Sequence, residues 1–174
     1  MNWKILFISF LEPFRKISEH PLERLVEVGL EDGMAFLDVG CALGFYSFYA
    51  SSIVGEKGLV YALDLNPEFI GYVAKKSRRK GVTNIKPIVT SAQETGLPSE
   101  SVDVAFLHLV LHDIEDKSVA MKEFYRVLRK SGRLVVDEED VTSLSLVREI
   151  AEKSGFRFLK RLRKTIQIFE KAEN

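Results

Sequence analysis

From residue 35 onward the chain alternates short apolar runs with segments of helical spacing. AFLDV (35–39), LVYALDL (59–65), IKPIVTS (85–91), VDVAFLHLV (102–110) and RLVVDE (133–138) read as strands. Most are nearly continuous in apolar residues, as strands buried on both faces are. Between them, GFYSFYASSIV (44–54) places aromatic and small residues on one helical face. DKSVAMKEFYRVLRK (116–130) sets Ala120, Phe124, Val127 and Leu128 at helical spacing, with Gly132 to end the helix. Asn66-Pro67-Glu68 has the chemistry of a helix start: a capping amide, a proline at the first position and an acid at the positive end. That helix should run to Lys80 and stop at Gly81.

Pro87 cannot donate to a ladder and so predicts a sheet edge for the third strand. SLSLVREIAEKSG (143–155) reads as another helix, and His20-Pro21 opens PLERLVEVGL as an earlier one. FRFLKRLR (156–163) and TIQIFEK (165–171) should form an antiparallel hairpin, since almost nothing separates them. The sum is an α/β chain: a doubly wound, Rossmann-like, mostly parallel seven-stranded sheet with a C-terminal antiparallel hairpin. Such sheets bind ligands beyond the carboxyl ends of their strands, near the switch in strand order.

Length and composition narrow the picture. The 174 residues, 46% of them hydrophobic, suit one domain over 1–174, with 1–33 as N-terminal cap or lid helices. Basic and acidic residues number 25 each, so no net field draws the domain to nucleic acid or an anionic membrane. Cys41 is the single cysteine, which excludes a disulfide framework and a cysteine-based metal site; no metal is expected. A reducing, cytoplasmic setting fits, and no apolar run has the length of a membrane span. The opening stretch MNWKILFISFLEPF lacks the small-residue cleavage pattern of a signal peptide and reads better as a cap or lid helix carrying Trp3, Phe7, Phe10 and Phe14. Packing of those rings or a dimer contact are the plainer uses of the same stripe.

The chemistry concentrates at two strand ends. Asp38-Val39-Gly40-Cys41-Ala42-Leu43-Gly44 is a tight strand-to-helix turn, with Gly40 and Gly44 free to take positive φ and a helix amino end facing the pocket. A dinucleotide fingerprint would need glycine where Ala42 and Phe45 stand, so a nicotinamide enzyme fits poorly. Asp64 lies about twenty residues past this turn, well placed to accept from ribose hydroxyls. Its plainer use is to help Asn66 cap the next helix.

FLDVGCALGFYS resembles motif I of class I S-adenosylmethionine-dependent methyltransferases, usually LDVGCGTG. YALDLNPEFI resembles their second motif, SAQETGLPSESVDVAFLHLVLHDIED the third-strand end, "LP" loop and fourth strand, and KEFYRVLRKSGRLVVDEED the helix and fifth strand that follow. Together, in family order, they cover about residues 20 to 140, and the chain is most similar to the ubiquinone/menaquinone-biosynthesis-like group.

The resemblance implies S-adenosyl-L-methionine as cofactor and a role for each matching position. Gly40, Ala42 and Gly44 would line the methionine part, and Asp38 would orient its amino group. Asp64 would hold the ribose, and Leu65 would pack on the adenine. Ser91, Ala92 and Gln93 would lie beside the adenine edge, and His108 and Leu109 would close over the methionine end. Ala42 replaces the usual middle glycine, Ser91 a frequent Asp, and Lys130-Ser131 the usual Pro-Gly.

The sulfonium already activates the methyl group, so alignment and a dry pocket do most of the work. Where an acceptor needs a base, His112 and Asp113 are the nearest candidates; the plain alternative has His112 bonded within its loop. The fourth strand lacks the Asn/Asp-Pro-Pro-aromatic box of amino-methylating nucleic-acid enzymes, and there is no Pro-Cys nucleophile. A small-molecule methyl acceptor is the expected partner, reached by in-line displacement, and nucleic acid is not expected. The short stretch from Glu138 to Leu144 leaves little material for an acceptor pocket, so the pocket would be open, or be completed by the amino-terminal segment or by a partner, whether a homodimer mate or a partner subunit. With Ala42, this keeps open a non-catalytic cofactor-binding or partner-dependent regulatory subunit.

Overall fold

A computed structural model describes residues 3–138 and 143–172. It contains one seven-stranded sheet: β1 (Ala35–Val39), β2 (Leu59–Asp64), β3 (Ile85–Val89), β4 (Val102–His108), β5 (Leu128–Asp137), β6 (Phe156–Leu162) and β7 (Ile166–Lys171). Their spatial order is β3-β2-β1-β4-β5-β7-β6. The first five run parallel, and β7 enters antiparallel between β5 and β6. Pro87 lies on β3, the edge strand its missing N–H calls for. The strand order reverses between β1 and β4, so a crevice opens at their carboxyl ends.

The helices are α1 (Trp3–Glu19), α2 (Pro21–Glu27), α3 (Phe45–Val54), α4 (Pro67–Lys80), α5 (Lys117–Val127) and α6 (Ser143–Lys153). α4 has the predicted limits: the Asn66 side chain accepts from Glu68 N at 2.9 Å, and Gly81 ends it at φ 67°. α1 continues through Pro13, and its Phe10 and Phe14 are exposed; the side chains of Trp3 and Phe7 lie outside the described residues, as do 139–142.

One boundary departs from expectation. α5 ends at Val127, and Leu128 already pairs with Val102 in the sheet. Leu128 keeps the helical spacing of Phe124 and Val127, so periodicity continues the helix to Lys130. Its extended backbone (φ −70°, ψ 138°) instead starts β5 early, with a register shift before Arg133 pairs with Val104.

Side chains alternate between two cores, one on each sheet face. Leu37, Leu107, Leu134 and Val136 join Met121 and Phe124 of α5. Phe36, Phe106 and Val135 join Leu25 of α2 and Tyr46 and Ala50 of α3. Two residues beyond Phe36, Phe106 and Val135 come Asp38, His108 and Asp137, on the same face by the period-two rule. The apolar stripe of the α2–α3 face thus becomes polar at the carboxyl edge of the sheet.

Candidate active site

Two neighbouring cavities open at that edge. The larger, of about 490 Å³, is lined by Gly40 and Ala42 after β1, Asp64 and Leu65 after β2, Ser91, Ala92 and Gln93 after β3, and Leu109 and Asp113 after β4. Its volume lies in the range of small-molecule sites. The smaller, of about 230 Å³, is lined by Asp38, Gly40, Ala42, His108 and Leu109, with Arg15, Cys41, Phe45 and Tyr46. Gly40, Ala42 and Leu109 border both, so the two are neighbours across these residues.

The turn between β1 and α3 is built on left-handed backbone. Gly40 has φ 69°, and a Cβ there would lie 2.3 Å from Val110 Cγ2, so only glycine fits. Ala42 holds φ 46°, strained for an L-residue. The Asp64 carboxylate braces the turn, taking the Ala42 N–H at 2.9 Å and, on its other oxygen, the Asn66 N–H at 2.8 Å. Both readings of Asp64 therefore have a physical basis: it supports the start of α4 and it faces the cavity. Each oxygen keeps a lone pair for a further donor.

Leu65 is 71% exposed at the cavity wall, an apolar side chain with a free face. Ser91 Oγ accepts from Gln93 N at 2.9 Å, which shapes the short turn after β3. Gly44 lines neither cavity; it caps α3 at φ 76°, facing Val73 and Phe48. His112, with its side chain 61% exposed, also lies outside both, with Nδ1 3.1 Å from Glu138 Oε2.

Behind His108, which lines the smaller cavity, lies an ionic network. His108 Nδ1 lies 2.9 Å from Asp137 Oδ2, directly across the β4–β5 ladder. Asp137 also pairs with Arg24 of α2 and accepts from Thr165 Oγ1 at 2.7 Å. Burial raises the Asp137 carboxyl, but the bonds from His108 and Thr165 and the charges of His108 and Arg24 outweigh it and hold it below the usual range. Glu19, from the last turn of α1, accepts from Tyr46 Oη at 2.5 Å and from Arg15 Nε at 2.7 Å. Asp38 accepts from Ser47 Oγ at 2.5 Å; burial nevertheless pushes its carboxyl up to about 6.

Sequence reasoning missed Arg15, Tyr46, Phe69, Val110 and Ile114 among the lining residues. Phe69 and Tyr46 had a signal, since each sits in the first turn of a helix whose amino end faces the pocket. Arg15 had none, because only the tertiary docking of α1 brings it near. Among the described residues no group of three or more acidic, histidine or cysteine side chains is arranged to hold a metal, and no helix is long and apolar enough to cross a membrane.

Residues 30–169 match the family model described as a methyltransferase domain. The chain belongs to the methyltransferase domain family. It is 32% identical over 111 residues to the ubiquinone/menaquinone biosynthesis C-methyltransferase UbiE of Vibrio vulnificus, covering 63% of this chain and 43% of that one. The chain spans about half the length of the curated relatives it matches. A solved S-adenosylmethionine-dependent methyltransferase from Aquifex aeolicus is 29% identical, with TM-score 0.75, over 86% of this chain and 87% of that one. A chain in the Haloferax volcanii complex of the Trm112 methyltransferase activator with a methyltransferase superposes at TM-score 0.73 over 95% of this chain and 93% of its own. At 14% identity that likeness concerns the fold alone.

Proposed function

We propose that this methyltransferase domain binds S-adenosyl-L-methionine across the two neighbouring cavities and transfers its methyl group to a small-molecule acceptor. The observation that carries the reading is the convergence of Asp64, Leu65, Ser91, Ala92 and Gln93 on one cavity of about 490 Å³, with a second cavity next to it across Gly40 and Ala42. A nucleoside suits the first cavity: ribose hydroxyls would donate to Asp64, the exposed face of Leu65 would cover one side of the adenine, and Ser91 to Gln93 would meet its edge. The methionine part would cross Gly40 and Ala42 toward Asp38, whose carboxylate would take the ammonium group. The amino end of α3, which has no side-chain cap, would favour the carboxylate.

Bound there, the cofactor supplies a methyl carbon already activated by a positively charged sulfur. The residues contribute position and exclusion of water. Leu109 (φ 54°), at the boundary of both cavities, would close over the junction where the sulfur would lie, with His108 beside it. Asp113 stands at the rim of the larger cavity and His112 outside it, so Asp113 is the better placed of the two to meet an acceptor. Assembly with an activator or a second copy, which would complete the acceptor side, is a further part of the reading. The Haloferax complex shows one member of the fold so partnered.

Calorimetry with S-adenosyl-L-methionine, followed by transfer of a labelled methyl group to a panel of small acceptors, tests the reading. Binding at one site per chain with turnover supports it. Binding without turnover, with and without candidate partners, favours the regulatory alternative, and the absence of binding ends both.

A further inference from the structure

We propose that the outer face of α1 and the basic end of α4 together form a docking surface for an anionic lipid bilayer. The chain lies on such a surface without crossing it. This goes beyond the methyltransferase reading and does not depend on it.

α1 turns its charged side inward. Glu12 pairs with Lys76 of α4 at 2.8 Å, Arg15 sits over the Phe45 ring of α3, 4.1 Å from its centroid, and Glu19 accepts from Tyr46 of α3. Phe10, Phe14 and Ile17, at i, i+4 and i+7, fall on the opposite side of the helix, and each is between 62 and 74% exposed. The Phe10 and Phe14 rings lie side by side, with centroids 6.1 Å apart. An apolar row left in water, on a helix fixed from behind by ion pairs, marks an interaction surface.

Beside this row lies a concentration of free positive charge. The chain's charges balance overall, yet KKSRRK (75–80) puts five cations in six residues at the end of α4. Ile70, Val73 and Ser77 are the buried side of α4, which turns Lys75 and Arg79 outward. Among the described residues Lys75, Arg78, Arg79 and Lys80 hold no carboxylate, whereas Arg126, Arg129, Arg148 and Arg157 each hold one. Glu68, the one acid on α4, stands in its first turn, at the far end. α3 and α4 cover the same sheet face, and α1 lies outside them. A groove of about 480 Å³ lies between the two surfaces, lined by Pro13 and Lys16 of α1 and Lys76 and Lys80 of α4. The apolar row suits the acyl boundary of a bilayer, and the cations suit its headgroup phosphates. Nucleic acid would use the cations and leave Ile17 without a partner. A second copy on this face would bring one α4 cluster beside another.

Sedimentation of the full chain with sucrose-loaded vesicles is the test. Wild type should bind phosphatidylglycerol vesicles about tenfold or more tightly than phosphatidylcholine vesicles, and binding should weaken as salt rises. F10S/F14S and K75Q/R79Q should each lose about tenfold or more of the affinity for phosphatidylglycerol. All four side chains are exposed, so both variants should melt as wild type does. The lipid preference and salt dependence of wild type test the proposal without any variant. No binding to phosphatidylglycerol vesicles, equal binding to both lipids, or undiminished binding in either folded variant overturns it. Polyuridylate RNA binding that K75Q/R79Q loses, with vesicle binding that F10S/F14S keeps, would assign the cations to nucleic acid. Self-association without lipid that F10S/F14S abolishes, read by light scattering, would assign the apolar row to a second copy. Either of these outcomes also overturns the proposal.

Discussion

Asp64, at the end of β2, accepts the backbone N–H of Ala42, in the turn after β1, at 2.9 Å. The bond ties the two strand ends that together form one side of the larger cavity, so a single carboxylate shapes the turn and faces the proposed nucleoside site. Asp64→Asn keeps one carbonyl oxygen and loses the charge; Asp64→Ala loses every acceptor. Affinity for S-adenosyl-L-methionine should fall by about 1 kcal/mol in the first and about 3 kcal/mol in the second, by calorimetry. Equal affinity in wild type and the alanine variant would remove Asp64 from the site.

The same turn should respond in opposite directions to two small substitutions. Gly40→Ala drives a methyl group into Val110 at φ 69° and should destabilise the fold by about 2 kcal/mol. Ala42→Gly relieves a left-handed alanine and should be neutral or stabilising by up to about 1 kcal/mol, the strain released exceeding the added unfolded-state entropy. Urea denaturation of both variants reads the two signs, and a loss in the second as large as in the first would contradict this account of the turn.

Asp38 should leave a signature in the pH dependence of stability. Burial raises its carboxyl from 3.8 to about 6 against the Ser47 hydrogen bond and the His108 and Arg15 charges. Between those values the folded chain holds more proton than the unfolded one. This residue's contribution to stability therefore falls as pH rises from about 4 to about 6 and is constant above. The stability of Asp38→Asn relative to wild type should rise by about 3 kcal/mol across that window. Denaturation of both proteins at several pH values checks it, and a constant difference would refute it.

Arg24 and Asp137 form a buried pair between α2 and β5. Arg24→Met should cost about 3 kcal/mol at neutral pH, because it leaves a buried carboxylate with only His108 and Thr165. The Asp137 carboxyl is held below its usual 3.8, so the pair stabilises above that value and weakens as pH falls through the lowered one. The deficit of the variant should therefore shrink in acid. Thermal melts at neutral and acidic pH measure it; a deficit that grows in acid would be the wrong sign.

Much of this architecture was legible along the chain because its causes are local. Asn66, Pro67 and Gly81 bound α4 by their own backbone chemistry, and Pro87 alone gave the edge strand. The two cavity-facing turns after β1 and β2 were legible for the same reason, since Gly40 is needed by backbone geometry and Asp64 braces the turn. Leu128 was misread because its spacing suits either a helix or a strand, and only pairing with Val102 decides. The ionic network behind His108 was the least visible part. Glu19, Arg24, His108 and Asp137 come from four elements, and Arg24 and Asp137 stand 113 residues apart. A partial signal existed, because His108 and Asp137 end adjacent parallel strands and each follows an inward-facing apolar residue by two positions.

The central claim is met most directly by a crystal structure of the chain with S-adenosylhomocysteine. The account predicts an adenine between Leu65 and the Ser91–Gln93 turn, ribose hydroxyls within hydrogen-bond distance of Asp64, and the amino-acid end across Gly40 and Ala42. Electron density for the ligand at any other place on the chain, or saturating ligand with none in these two cavities, would contradict it.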